Sequence, residues 1–368
     1  MRGERSAEAT ALANGIRLAL EQSEGRAGRI RVRYRPLDDT ERATGKVSAG
    51  AAARNARTAV RDDDAVAYIG ELDDGSARSL PFTNEGGLAQ IGTAETAVGL
   101  TTSETGADPP EPVVYRASGK RTFVRLVPRD TIQGAALVSL ATESGCTKLA
   151  IANDGTRFGT GLAQSLGAAA EEQRLGVALA VTLDAGKSDY RVQARKARVG
   201  GADCFAFAGL PSSVATGAYE DFGAALVGAD LFGPDRLADD RFTQAAGGLS
   251  AALARRIRLT VLARPPDYPP SSVGFVREYE GAYDEKPLPS ALYGYEAMRL
   301  VLDAIRRSGD DSRAGVIRAL FETRDRESIL GSYSIDAYGD STLASYGVGS
   351  IVDGRVDVDG TISAPAVK

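Results

Sequence analysis

KLAIANDGTRFGTGLAQSL, residues 148–166, decides the fold of this chain. Its apolar run 149–152 is too short for a helix and favours a buried parallel strand, which the polar residues 153–155 bring to an end. Phe158, Gly159 and Gly161 then lead into a helix. A loop between a strand and a helix lies at the carboxyl end of the strand, where open α/β sheets bind their ligands.

The same arrangement occurs a second time, in AVAYIGELDDGSARSLPFT at residues 65–83. Strand and helix patterns alternate from residue 6 to residue 232, which predicts parallel sheets. Ser76 opens the helix of this second unit, and we expect it to be the N-cap. Two such units far apart in the chain predict two α/β lobes facing a cleft.

Composition narrows the range of functions. The chain has 368 residues, enough for two domains, and its net charge of −5 argues against a nucleic-acid partner. No apolar run approaches the roughly 20 residues that span a bilayer. The sequence contains no histidine, which excludes Ser-His-Asp and Cys-His catalysis and histidine-based zinc sites. We therefore expect no enzymatic activity, no metal and no cofactor.

The two cysteines, Cys146 and Cys204, each precede or open a predicted strand, over 148–152 and 203–208. If these strands are neighbours, a disulfide is geometrically possible and would indicate an oxidising compartment. The alternative is a pair of buried free thiols that act as small apolar side chains.

Seven stretches, in order along nearly the whole chain, carry a resemblance to a known family. They are AYIGELDDGSA (67–77), GLAQIGTAET (87–96), KLAIANDGTRFGTGLA (148–163), GADCFAFAG (201–209), LFGPD (231–235), ALYGYEAMRLVLDAI (291–305) and LGSYSIDAYGD (330–340). The chain resembles the type I periplasmic binding proteins, in particular the leucine/isoleucine/valine-binding branch of the ABC-transporter substrate-binding proteins.

The resemblance implies an α/β fold of two doubly wound parallel-sheet lobes, joined by three hinge crossovers near residues 126–129, 259–263 and 329–332. Lobe one is then 1–126 plus 262–330, and lobe two is 127–261 plus 331–368. The family begins with a strand, whereas this sequence starts inside the turn that follows it. We expect the first strand of lobe one and an export signal to be missing through a truncated gene model.

The resemblance also implies a ligand-binding site. In the family, hydroxyls and backbone amides at a helix N-terminus meet the ligand's α-carboxylate, and an acidic residue meets its ammonium group. By position, the ligand-binding residues here are Asp73, Asp74, Ser76, Ala94, Glu95, Thr96, Phe158, Leu210, Asp235 and Tyr293.

Ser76 and Thr96 are the hydroxyl candidates, and Asp235 is the partner for the ammonium group. Phe158 matches an aromatic residue that covers the ligand, whereas Leu210 stands where the family has another. The alternatives are that Ser76 is only a cap, that Thr96 is only a loop residue and that Asp235 is only a turn residue.

Three acidic residues conflict with a carboxylate ligand: Asp73, Asp74 and Glu95. Their charges would repel a ligand carboxylate unless they point away from it. One alternative is therefore a neutral or cationic ligand, such as an amide, a polyamine or a modified amino acid. Another is that this chain is a family member that has lost its transport function.

The implied function is an extracytoplasmic, monomeric solute-binding protein that passes an amino acid, an amide or a related amine to the membrane subunits of an ABC importer. A ligand-sensing ectodomain of the same fold is the alternative. A two-lobed transferase is a weaker alternative, because residues 155–161 lack the glycine spacing of a phosphate-binding loop.

Overall fold

The computed structural model describes residues 6–40, 48–72, 75–244, 249–262 and 271–365. The chain divides into two compact units. Unit 1 comprises Met1–Thr102, Pro109–Pro128 and Pro266–Leu343, and unit 2 comprises Ser103–Asp108, Arg129–Pro265 and Ala344–Lys368. Across these ranges, no helix is long and apolar enough to cross a membrane.

Unit 1 is built on a short parallel sheet of three strands in the order β3, β4, β5. Its elements are α1 (Ser6–Gln22), β1 (Arg26–Ala27), β2 (Ile30–Arg31), α2 (Ala49–Arg61), β3 (Ala67–Gly70), α3 (Ser76–Glu85), β4 (Ala89–Gly92), β5 (Phe123–Arg125), α10 (Ser271–Tyr283), α11 (Pro289–Ser308) and α12 (Arg313–Phe321). Helix α1 packs closely on α11, where a Cβ at Gly15 would lie 2.0 Å from the Ala291 carbonyl oxygen.

Unit 2 is built on a seven-stranded sheet in the order β12, β11, β10, β9, β8, β6, β7. Its elements are α4 (Asp130–Glu143), β6 (Lys148–Asn153), α5 (Arg157–Glu172), β7 (Gly176–Thr182), α6 (Arg191–Val199), β8 (Cys204–Ala208), α7 (Ser213–Ala225), β9 (Leu231–Gly233), α8 (Asp240–Thr243), α9 (Ala251–Ala254), β10 (Ile257–Val261), β11 (Ser345–Val352) and β12 (Arg355–Ser363). Strands β6 to β10 run parallel, and β11 and β12 add an antiparallel hairpin at one edge. The α/β fold with a mostly parallel sheet is therefore as the sequence predicts.

The last expected boundary, after residue 330, differs from the observed division, in which unit 1 continues to residue 343. A buried ion pair explains the difference, because the Arg125 guanidinium at the end of β5 lies 2.8 Å from the Asp340 carboxylate. The Arg125 amide also donates to the Gly339 carbonyl, and the Ser341 hydroxyl donates to the Leu126 carbonyl. These contacts hold residues 339–341 beside β5.

Cys146 and Cys204 form a disulfide in the structure, with their Cα atoms 5.9 Å apart. Strand β6 pairs in parallel with β8, with Leu149 opposite Cys204, so both cysteines lie at the amino ends of neighbouring strands. The disulfide alternative therefore describes the structure, and the free-thiol alternative does not.

We expect the disulfide to stabilise unit 2, because it closes a chain segment with a sequence separation of 58 residues. Replacing both cysteines by alanine should lower the free energy of unfolding by about 2–4 kcal/mol. Urea unfolding of the oxidised protein and of the double variant measures this loss. An unchanged unfolding midpoint in the variant would contradict the prediction.

The Arg125–Asp340 pair generates a second prediction. Asp340→Asn leaves the fully buried Arg125 guanidinium without its counter-charge, which should cost about 3–5 kcal/mol of folding free energy. The matched control is Asp357→Asn, a change of the same chemistry at an exposed position of β12. Equal unfolding midpoints for the two variants would show that the pair does not stabilise unit 1.

Candidate functional site

In unit 1, the predicted site residues follow two neighbouring strands. Strands β3 and β4 pair in parallel along their full length, so their carboxyl ends meet at the same edge of the sheet. The loop after β3 leads to Ser76, the first residue of α3, and the loop after β4 carries the candidates Ala94, Glu95 and Thr96. The fold therefore brings the two predicted loops of this unit together.

The burial of these candidates is uneven. Three are almost completely buried, Ser76, Glu95 and Thr96, and Ala94 is half-buried. Tyr293 is buried within α11 of the same unit. Asp73 and Asp74 lie outside the described residues.

Glu71, which the sequence analysis does not select, is a central polar residue of this region. Its carboxylate accepts hydrogen bonds from three hydroxyls, those of Tyr68 at 2.7 Å, Ser76 at 3.1 Å and Ser79 at 3.0 Å. Burial, and then the charge of Glu71, raise the pKa of Tyr68, so the phenol remains a hydrogen-bond donor. An acidic residue directly after a buried strand is the sequence signal that could have identified Glu71.

Ser76 is not the N-cap that the sequence predicts. Gly75 occupies the N-cap position and, without a side chain, makes no capping hydrogen bond of its own. The Ser76 hydroxyl donates to Glu71 and accepts a hydrogen bond from the Gln90 amide at 3.2 Å. Ser76 is therefore part of a buried polar network, because Gln90 also donates to Ser79 at 2.8 Å.

Glu95 reaches the amino end of α3. The Ser76 backbone N–H donates to Glu95 Oε1 at 3.2 Å, and the side chain is 1% exposed. Among the described residues, Glu95 Oε2 is buried and has no hydrogen-bond partner. Burial, and then the charge of Glu71, raise the pKa of the Glu95 carboxyl well above its ordinary value, and the hydrogen bonds from Ser76 offset this only in part.

Arg125 lies beneath the loop that carries Glu95, but its guanidinium is already engaged elsewhere. Nη1 donates to the backbone carbonyls of Glu95 at 3.3 Å and Ala97 at 2.7 Å. Nε donates to Asp340, and Nη2 contacts both Asp340 and the Thr101 hydroxyl. Four hydrogen bonds and an ion pair thus engage the guanidinium, so Arg125 fixes the backbone of the loop without neutralising the Glu95 carboxylate.

In unit 2, the predicted residues also follow the carboxyl ends of parallel strands. Asp154, directly after β6, accepts a hydrogen bond from the Leu210 amide, just after β8, at 2.8 Å. Its other oxygen accepts from the amide and the hydroxyl of Thr156, at 3.0 and 2.6 Å. Thr156 in turn caps α5 by accepting from the Gly159 amide. Asp154 thus ties the loop of the predicted residue Leu210 to the start of α5.

Phe158 lies in the first turn of α5 and is half-buried. The Arg236 guanidinium lies 5.5 Å from the centroid of its ring, within the range of a cation–π contact. The sequence analysis does not select Arg236, since the contact joins two segments far apart in the chain. The aromatic candidate of this unit therefore has a cation over its face.

Asp235 directly follows Pro234 after β9 and is half-buried. Its Oδ1 accepts a hydrogen bond from Gln133 Nε2 at 2.7 Å, and the same amide donates to the Thr260 hydroxyl at 3.2 Å. Gln133, which is fully buried on α4, therefore orients the carboxylate that the sequence selects as the ammonium partner.

The geometry of the site can now be compared with known proteins. Residues 1–354 match the family model of the periplasmic binding proteins. No match was found among curated proteins.

Solved structures show a similar fold. A leucine-binding protein from Thermotoga maritima aligns with 99% of this chain and 96% of its own, at 22% identity and a TM-score of 0.75. A second similar structure is a branched-chain amino acid transporter substrate-binding protein from Streptococcus pneumoniae in complex with isoleucine. The alignment covers 99% of this chain and 97% of that chain, at 20% identity and a TM-score of 0.74. A third is a solute-binding protein from R. palustris in complex with benzoate. The alignment covers 99% of this chain and 94% of that chain, at 18% identity and a TM-score of 0.71.

The raised pKa of Glu95 predicts a pH dependence of stability. The folded protein keeps a proton on this carboxyl at pH values where the unfolded chain has lost it, so Glu95 makes the protein less stable as pH rises from about 4.5 through the folded pKa. Glu95→Gln removes this titration. The free energy of unfolding of the variant, relative to the natural protein, should therefore increase with pH.

Urea unfolding at a series of pH values between about 4.5 and 8 measures the difference. Glu85→Gln, at an exposed position on α3, is the control and should follow the natural protein at every pH. A constant difference between Glu95→Gln and the natural protein across this range would contradict a raised pKa.

Proposed function

The chain belongs to the periplasmic binding protein family, and we propose that it is an extracytoplasmic solute-binding protein that captures a small amino-acid-like ligand and delivers it to an ABC importer. The observation that carries this proposal is the position of the candidate residues. In each unit they follow the carboxyl ends of adjacent parallel strands, which is where open α/β sheets bind ligands.

The chemistry of unit 2 supports a ligand with an amine. Asp235 offers a half-buried carboxylate held in place by Gln133, and a carboxylate is a strong partner for an ammonium group. Phe158 and Leu210 offer apolar surface nearby in the fold, on loops that Asp154 holds together. An amino acid, an amide or a related amine meets both requirements.

Binding without chemistry accounts for these residues best. A sequence without histidine lacks the commonest general base. Three described carboxylates of the candidate site, Glu71, Asp154 and Asp235, already accept hydrogen bonds from neighbouring side chains or backbone amides, and Glu95 accepts one from the Ser76 amide through Oε1 alone. We infer that the ligand acts by favouring the conformation that binds it best, which the membrane subunits then recognise.

A thermal-shift screen tests ligand capture, with leucine, isoleucine, valine, their amides and polyamines as probes. A ligand at 100 times its Kd should add about 2.7 kcal/mol to the stability of the protein. Asp235→Asn should weaken binding of the selected amine at least tenfold by isothermal titration calorimetry, since it removes the counter-charge. Asp357→Asn, exposed on β12 of the same unit, should leave the Kd unchanged.

No stabilisation of the folded protein by any probe would contradict the proposed ligand class. Equal binding by the Asp235→Asn and Asp357→Asn variants would remove Asp235 from the site while leaving capture intact. Uptake of the radiolabelled ligand by cells with and without the gene then separates the two possible roles. Lost uptake supports an importer subunit, and unchanged uptake indicates a sensing ectodomain.

A further inference from the structure

The two buried carboxylates of unit 1, Glu71 and Glu95, have very different surroundings. Glu71 accepts three hydroxyl hydrogen bonds. Glu95 accepts from the Ser76 amide through Oε1, and its Oε2 has no partner anywhere in the described part of the chain. A carboxylate that is 1% exposed and half satisfied is unfavourable, so this atom requires a further donor.

Glu95 also occupies the place that a ligand carboxylate would need. The first amide of α3 already donates to Glu95 Oε1, and the Ser76 hydroxyl is committed to Glu71. A ligand carboxylate at this helix N-terminus would therefore compete with one fixed carboxylate and lie close to a second. The negative charge of either acid, when ionised, would repel a ligand carboxylate placed there.

The Glu95 side chain has little freedom to leave this place. Arg125, itself fully buried, holds the Glu95 carbonyl, and Thr96 is buried directly after it. The backbone of Gly92 passes close to the carboxylate, because a Cβ there would lie 3.6 Å from Oε2. The Glu95 carboxylate is therefore held in a fixed position in the site and is not a mobile surface group.

We propose that Glu95 Oε2 receives an N–H group of the ligand other than the one that Asp235 holds, either a carboxamide N–H or a second ammonium group, so that unit 1 selects amino-acid amides and diamines against free α-carboxylates. This inference rests on the proposed function, because it assumes that the protein captures a small ligand at these strand ends. It identifies Glu95 as a specificity-determining residue and explains why an acid stands beside the amino end of α3.

Binding of a cation should then release a proton. Within the described ranges, the groups that face Glu95 from the elements packed around it are Glu71 after β3, Tyr68 on β3, the Ser76 amide on α3 and the Arg125 guanidinium on β5. Glu71 disfavours its negative charge, and Arg125 is paired with Asp340. A cationic ligand therefore binds the ionised carboxylate more tightly as pH rises, up to the pH at which the ligand amine itself loses its proton.

The test uses leucine, leucinamide and putrescine, where the first two differ only in carboxylate against carboxamide. Calorimetry should show leucinamide or putrescine binding the natural protein at least tenfold more tightly than leucine. Glu95→Gln should weaken the preferred probe at least tenfold and abolish the rise of affinity with pH. Glu85→Gln, exposed at the end of α3, should retain both.

The possible failures are distinguishable. If leucine binds and leucinamide and putrescine do not, the solute-binding function stands and the role of Glu95 is overturned. If Glu95→Gln, shown to be folded by its urea transition, binds the preferred probe as tightly as Glu85→Gln does, the role of Glu95 is likewise overturned. If no probe binds the folded natural protein, the proposed function and this inference fall together.

Discussion

A carboxylate buried without enough hydrogen-bond donors is the physical constraint on which the candidate site depends. Glu71 satisfies this constraint internally, through the hydroxyls of Tyr68, Ser76 and Ser79. Glu95 satisfies it only in part, through one amide of α3. Because desolvation of an ion costs far more than a single hydrogen bond returns, the missing donor is either a proton or a ligand. Among the described residues, the polar network around Glu71 and Ser76 thus leaves Glu95 Oε2 without a donor.

The parallel strands create this arrangement. Pairing of β3 with β4 brings the loops of Glu71 and Glu95 to one edge, and pairing of β6 with β8 does the same for Asp154 and Leu210. Side-chain hydrogen bonds then fix these loops: Arg125 holds the loop after β4 in unit 1, and Asp154 holds the loop before α5 in unit 2. The sheets therefore supply the position, and a few buried polar side chains supply the rigidity that a selective site requires.

Local sequence patterns predict the strand ends well, since a short apolar run followed by Asn, Asp and Gly has few other solutions. They also place Cys146 and Cys204 at the starts of two strands, and the β6–β8 pairing in the structure makes these strands neighbours. What they miss is set by contacts between distant segments. The Ser76 hydroxyl binds Glu71 and Gln90 instead of capping α3, Arg236 covers Phe158, and Asp340 attaches its segment to Arg125. No spacing rule encodes such pairings, because each depends on the finished packing.

The most direct measurement of the central claim is a crystal structure of the protein with leucinamide bound. We expect a ligand nitrogen within about 2.7–3.2 Å of Glu95 Oε2, with the Ser76 amide still donating to Oε1. A ligand oxygen on the Ser76 amide, with the Glu95 side chain displaced from the amino end of α3, would contradict it.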